Sequence, residues 1–449
     1  MRAALAIATI LLVPSAARAD APRGAVRLGV RAAIERGLRE DPVLFSTAIQ
    51  RDRGRLATLR AQLDRFSLKV DASLGEQWRT VKSFGDSTFT PTTGVAGSSS
   101  FNANLQVPLF SGFRVTANVR RAQHLEAAAV ASRRATARAV AVDVLRSYWA
   151  VRRVELQAAV SEQALQRYRD GVTVVKARVS AGLAPPVDEN RMETRRLREE
   201  ARLADLRGTA AEARTQLAVA LGMGGTELEL TEKVDLPAAP PASAAAADRL
   251  LAEATRHRGE LQQARLQTLA ARQQVRMVRS AFFPQLTAFA LLQYGNNPYV
   301  MLSDPNPFAN SSIGFSFGAM LSINLFDTLS TTTSLRDARH VVAQQEQEER
   351  RLGRLVEADV RAGHVRLVRL YRAREPLVKT VALARDTVSI IERRYKNGDA
   401  TILDYLDAEF ELLSSELELV GSSAAIALAW GELSAATGRL PGSAQWSER

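Results

Sequence analysis

Slid against itself by 216 positions, the sequence meets its own likeness without a gap. Phe101-Asn102-Ala103-Asn104-Leu105-Gln106-Val107-Pro108-Leu109-Phe110 falls on Phe317-Gly318-Ala319-Met320-Leu321-Ser322-Ile323-Asn324-Leu325-Phe326. The same offset pairs Phe66 with Phe282, Arg120 with Arg336, Arg178 with Arg394, Gly182 with Gly398, Asp188 with Asp404 and Gly222 with Gly438. Register held over so long a stretch argues for one unit of about 200 residues written twice, and a repeat constrains architecture more than any local propensity does. The expected division is a first repeat at 20–233, a connector at 234–247 containing Pro237, Pro240 and Pro241, a second repeat at 248–440, and a tail at 441–449.

Each copy reads as the same order of elements. An opening helix (Val26–Arg65 and Asp248–Ala281) leads to two short alternating segments around a polar loop, then a very long helix, a Gly-containing turn and a second long helix. From Val115 to Val179 there is no Pro and one Gly, Gly171. Such a helix reaches roughly 100 Å at 1.5 Å per residue, more than a compact domain needs. Its Ala, Leu, Arg and Glu content suits coiled-coil-like packing.

The alternating segments carry the functional information. Phe101, Ala103, Leu105, Val107 and Leu109 alternate with Asn102, Asn104, Gln106 and Pro108, and Ile313 to Leu325 alternates likewise with Gly, Ser, Met and Asn. Leu68, Val70, Ala72 and Leu74 form a third segment, and Leu286 opens a fourth. One apolar and one small or polar face, at about ten residues per strand, is the pattern of a transmembrane β-barrel wall. Four strands cannot close a barrel, and an open edge in lipid leaves backbone groups unpaired. Three copies would supply twelve strands, with the loops Ser83–Ser98 and Gly295–Ser312 as external turns and the charged helices projecting away from the membrane. The competing reading is a soluble periplasmic coiled-coil scaffold whose apolar hairpins pack on a partner protein.

Composition removes other classes. Met1-Arg2, an apolar run to Val13 and an Ala17-Arg18-Ala19 end read as a secretory signal at 1–19. Losing Arg2 and Arg18 with it takes the net charge from +12 to +10. The basic residues are spread along helices without interleaved aromatics, so nucleic acid is not expected as a partner. There is no cysteine, and the four histidines are scattered, so neither a metal centre nor a cofactor is expected. Gly314-Phe315-Ser316-Phe317-Gly318 spells the nucleophile-elbow pattern, but that motif needs a strand–tight turn–helix setting, and here it opens an alternating strand. No catalytic residue is expected.

The duplicated strand ends Leu109-Phe110-Ser111-Gly112 and Leu325-Phe326-Asp327, with the two helix-reversal tips Ser180-Ala181-Gly182-Leu183-Ala184-Pro185-Pro186-Val187-Asp188 and Lys396-Asn397-Gly398-Asp399-Ala400-Thr401-Ile402-Leu403-Asp404, resemble the TolC family of outer-membrane efflux proteins over nearly the whole mature chain. The resemblance implies a homotrimer with a 12-stranded barrel in outer-membrane lipid on a long α-helical tunnel. It further implies a periplasmic adaptor (membrane fusion) protein and an inner-membrane transporter as partners, in tripartite efflux or type I secretion of small molecules or proteins. On the matching positions, Asp404 and Asp407 would form the channel constriction, Asp188, Tyr395 and Arg394 a network closing the tips, and Gly182, Leu183 and Gly398 the adaptor-docking tips. The chain departs from the family pattern at Ala400, where the archetype has an arginine. Independently of the family, Gly at each reversal supplies positive φ, and Asp188 and Asp404 lie where a carboxylate caps the returning helix.

Overall fold

The computed structural model describes residues 26–81, 92–232, 234, 236–237, 239–240, 243–296, 311–327 and 329–441. The leader expected at 1–19, nearly all of the tail, parts of both hairpin loops and parts of the connector lie outside the described residues.

The first half runs β1 (Val26–Leu28), α1 (Val30–Glu40), α2 (Pro42–Leu63), β2 (Ser67–Val81), β3 (Thr92–Phe110), α3 (Arg114–Ser180), α4 (Pro186–Ala220) and β4 (Leu228–Leu230). The second half runs α5 (Ala244–His257), α6 (Gly259–Arg279), a 3₁₀ turn (Ser280–Phe282), β5 (Gln285–Asn296), β6 (Ser311–Ser322), α7 (Ser330–Asn397) and α8 (Ile402–Ala436). Helix–helix–strand–strand–long helix–helix therefore occurs twice. The bends coincide as well: positive φ falls at Phe113 and Leu329, Gly182 and Gly398, and Gly222 and Gly438, each pair 216 residues apart.

Five boundaries differ from the sequence reading. Each opening helix is two helices. Pro42 cannot continue α1, and the Asp41 carboxylate accepts the Val43 and Leu44 amides to start α2. The second break, at Arg258, has a tertiary cause: Arg258 is buried, and its Nε donates to the Ala436 carbonyl while Nη2 donates to Asp359. Val26–Leu28, read as helix, pairs in parallel with Leu228–Leu230. Strand β3 begins at Thr92, inside the expected loop, and β6 ends at Ser322, short of Leu325.

The long helices α3 and α7, 67 and 68 residues, extend about 100 Å each. Helices α2 and α6 flank their strand-proximal halves, and α4 and α8 flank the distal halves. A central core packs Leu145, Tyr148, Trp149, Leu217 and Leu221 around the small β1–β4 sheet. There the Tyr148 hydroxyl donates to the Leu28 carbonyl and accepts from the Glu232 amide. A second core near the tips gathers Tyr168, Met192, Tyr395, Tyr405 and Leu412. Each such large apolar side chain contributes about 1.5–3 kcal/mol on burial.

The two hairpins form one antiparallel sheet ordered β2-β3-β5-β6. Directly opposed residues share a face, so the register writes out the two surfaces. Val70, Ala103, Leu292 and Phe315 form one row, and Leu105, Ala290 and Phe317 belong to the next on the same side. Asp71, Asn102, Gln293 and Gly314 form a row of the opposite face, as do Lys69, Asn104, Leu291 and Ser316. Ile313, Phe315 and Phe317 are 75%, 68% and 77% exposed, so the apolar face is bare in the single chain. Pro108, which has no N–H for the ladder, sits beside the register shift between β3 and β5.

Candidate functional site: the helix-reversal tips

Both reversals are built alike. At the α3–α4 tip Gly182 has φ 72°, its amide donates to the Val179 carbonyl (3.0 Å), and the Leu183 amide donates to Arg178 (2.8 Å). At the α7–α8 tip Gly398 has φ 91°, its amide donates to Tyr395 (3.1 Å), and the Asp399 amide donates to Arg394 (2.8 Å). This left-handed closure satisfies the last carbonyls of each long helix. A Cβ on Gly182 would meet nothing within 4 Å, so backbone conformation alone requires glycine there. Leu183 and Val187 stand 66% and 48% exposed, which makes the first tip apolar, whereas Asp399 and Thr401 make the second polar.

The tip arginines begin alike and then part. Arg394 Nη2 donates to the Asp399 carbonyl (3.1 Å) on its own tip, and Arg178 Nη2 donates to Leu183 (3.2 Å). Arg178 also crosses to the other hairpin. Its Nη1 donates to the Tyr395 and Lys396 carbonyls at 2.6 and 2.7 Å, and its guanidinium lies 5.0 Å from the Tyr395 ring centre. Arg178 thus caps the end of α7 while bracing its own turn. Sequence reasoning missed it, since its partners are backbone carbonyls, which leave no trace in residue type; its offset match to Arg394 was the available signal.

Tyr395 is buried and stacked on Tyr405, with ring centres 5.8 Å apart and planes at 16°. Burial, and then the negative charge of Asp188, push its hydroxyl above the ordinary tyrosine pKa. Asp188 is itself buried in the first turn of α4, with Arg191 Nη1 at 3.7 Å. The two capping expectations come out differently. Asp404 Oδ2 accepts from the Thr401 amide and hydroxyl (2.9 and 2.8 Å), and Thr401 Oγ1 accepts the Asp404 amide, a complete capping box. These bonds, with Arg394 nearby, hold the Asp404 carboxyl below its usual pKa. At the α3–α4 tip the position 216 residues before Thr401 is Pro185, so Asp188 receives no such bond. Asp404 and Asp407 both face outward from α8, one turn apart.

Behind this surface lies a buried ion network. Arg167 of α3 donates through Nε to Glu409 (2.9 Å) and through Nη2 to Glu416 (3.4 Å), and Arg385 of α7 donates to Glu416 at 2.8 and 3.0 Å. Glu409 and Glu416 are 2% and 6% exposed. Desolvation raises the Glu409 pKa despite Arg167. One carboxylate pair on α8 therefore ties it to both long helices.

Ser316 of the elbow-like motif lies in mid-strand, opposite Leu291, far from any strand–turn–helix junction. No three-residue metal-binding cluster occurs among the described residues.

A sheet with one bare apolar face thus stands at one end of helices about 100 Å long that reverse at the other end in glycine turns. The sequence itself matches the family described as outer membrane efflux protein over residues 38–223 and 250–439, and the chain belongs to that family. It is an outer-membrane channel-tunnel of an efflux system with a large periplasmic helical portion, in a family of channels and not of enzymes. The outer membrane protein VceC of Vibrio cholerae is similar at 22% identity, over 91% of this chain and 96% of its own, with a TM-score of 0.72. The MtrE outer membrane channel of Neisseria gonorrhoeae, in its open state, is similar at 18% identity, over 91% and 89%, with a TM-score of 0.71. The CmeC outer membrane channel of Campylobacter jejuni is similar at 12% identity, over 91% and 85%, with a TM-score of 0.72. No curated protein sequence matches.

Proposed function

We propose that three copies of this internally duplicated chain assemble into one conduit, a 12-stranded barrel continued by a helical tunnel, which exports small molecules or proteins from the periplasm. The observation that carries this reading is the open four-stranded sheet. Strands β2 and β6 each have one unpaired side among the described residues, and the sheet has one bare apolar face. Such edges are untenable in lipid unless neighbouring copies pair them. Below the β2 edge, α2 presents Phe45, Ile49, Leu56, Leu59, Leu63 and the following Phe66, all at least 48% exposed, at coiled-coil spacing. That stripe suits a helix of the next copy.

At the far end, Asp404 and Asp407 from three chains would put six carboxylates around the entrance and favour cations. Arg178 would hold the two hairpins of each chain together, with Asp188, Tyr395 and Arg394 in the same tip, in place of the arginine absent at Ala400. The exposed apolar tip around Gly182 and Leu183, with Gly398 beside it, is the surface offered to a periplasmic adaptor, itself joined to an inner-membrane transporter. Native mass of the protein extracted from isolated outer membranes tests the reading. A trimer released only by detergent is expected; a water-soluble monomer or dimer refutes it and favours the soluble scaffold.

A further inference from the structure

Where strands meet helices, the charge is lopsided. The segments 60–66, 111–121, 276–284 and 323–339, which flank the four strand ends, contain nine arginines and three aspartates. Among the described residues, none of the nine arginines is paired with a carboxylate, and eight of them are exposed. Elsewhere the arginines are mixed: Arg167, Arg196, Arg258 and Arg385 are held by Glu or Asp, whereas Arg195, Arg198 and Arg202 of α4 have no carboxylate partner among the described residues. Of the three local acids, Asp64 accepts from Asn118, Asp327 is engaged by the Thr331 amide, and exposed Asp337 forms no ion pair with an arginine among the described residues.

Two further observations sharpen the picture. Arg114 occupies the first position of α3, where the helix dipole disfavours a cation. The corresponding end of α7 is neutralised by Asp327, but its offset partner at α3 is Ser111, so α3 opens with an arginine and no carboxylate. Immediately beside these arginines the apolar sheet face ends in aromatics. Phe110, Phe113 and Phe283 form an edge-to-face chain with ring centres 5.8 and 6.5 Å apart, and Phe282, Leu325 and Phe326 are exposed.

We propose that this arginine collar binds the phosphates of anionic phospholipids in the leaflet facing the helical body. The inference rests on the barrel reading above. Its geometry follows from chain distances: Arg65 precedes β2 by two residues, Arg114 follows β3 by four and Arg279 precedes β5 by six. At about 1.5 Å per helical residue these groups lie within roughly 10 Å of the strand ends. A headgroup layer is about 5–8 Å thick on each side of the hydrocarbon. The apolar rows occupy the hydrocarbon, the aromatics its boundary, and Arg65, Arg114 and Arg279 the headgroup plane. Arginine's planar fork suits phosphate better than a point charge would.

The test uses detergent-purified full-length mature protein and vesicles of either phosphatidylcholine alone or phosphatidylcholine with phosphatidylglycerol. At low salt the wild type is expected to associate with the mixed vesicles at least about tenfold more tightly. The Arg65→Gln, Arg114→Gln, Arg279→Gln variant should lose that preference, and the matching Arg→Lys variant should keep most of it. A control variant with Arg195, Arg198 and Arg202 of α4 changed to Gln should behave as wild type. Equal association of the wild type with both vesicles overturns the proposal, as does loss of preference in the α4 control. Abolition of the preference by millimolar inorganic phosphate overturns it too, because the site would then take free phosphate. A protein that enters neither vesicle and stays water-soluble refutes the barrel reading itself, a separate result.

Discussion

Replacing Arg178 with Ala should uncouple the two hairpins at the periplasmic tip. The side chain donates to the Tyr395, Lys396 and Leu183 carbonyls and lies over the Tyr395 ring. Hydrogen bonds from a charged donor contribute about 1.5–3 kcal/mol each. Two of these acceptors are solvent-exposed and can turn to water, so their loss counts for little. The part-buried Tyr395 carbonyl and the ring contact dominate, giving about 2–3 kcal/mol in all. Local opening of the α7 terminus should therefore become roughly 30- to 150-fold more frequent. Hydrogen exchange of the detergent-solubilised protein measures this directly: protection should fall for amides around 394–399 and stay unchanged in the Leu145–Tyr148–Leu217 core. Arg394→Ala is the internal comparison, because that side chain bonds only its own tip and should loosen residues near Asp399 without freeing α7 from α3. Unaltered protection at 394–399 in the Arg178→Ala protein would refute the assignment of Arg178 as the link between hairpins.

Exchanging Asp404 and Asp407 together for Asn should lower cation selectivity in planar bilayers and raise open conductance, and unchanged selectivity would remove both residues from the conduction path. Glu409 has a raised folded-state pKa, so the stability it confers is full below the unfolded carboxylate pKa and is lost as pH rises through the folded value. Amide protection along α8 should accordingly decline between acid and neutral pH in the wild type, and Glu409→Gln should flatten that decline. Gly112→Ala should destabilise the strand–helix junction by about 2–4 kcal/mol, from a positive-φ residue and a built Cβ 2.7 Å from the Ser280 carbonyl, read as a lower detergent-state unfolding temperature.

Much of the fold was legible because the sequence matches itself at one offset and the element order recurs at that offset. Gly182 and Gly398, or Gly222 and Gly438, matter little singly, yet a shared offset marks them as bends of one design, and all four adopt positive φ. Alternation gave the strand faces, because period two survives in Phe315, Phe317, Ala319 and Leu321 whatever the neighbours. The Asp41-Pro42 break was written in the chain and read through; the break at Arg258 was not, since a contact with Ala436 decides it. Three-residue strands pairing 202 residues apart carry no period to detect. At the site, tip glycines and the Asp404 cap could be read from local chemistry. The Arg167–Glu409–Glu416–Arg385 network could not: helices crowded with Arg and Glu offer many partners, and only the helix packing chooses among them.

The open edges of β2 and β6 have a kinetic meaning. Among the described residues one chain has two unpaired edges, and two chains joined side by side would still have two; only the third association in the proposed ring removes them. A dimer is therefore no better suited to lipid than a monomer, and membrane entry and the closing of the ring become one concerted event. Yield of finished conduits should climb steeply with the supply of newly exported chains, and a shortfall should leave water-exposed precursors waiting in the periplasm, not partial pores in the membrane.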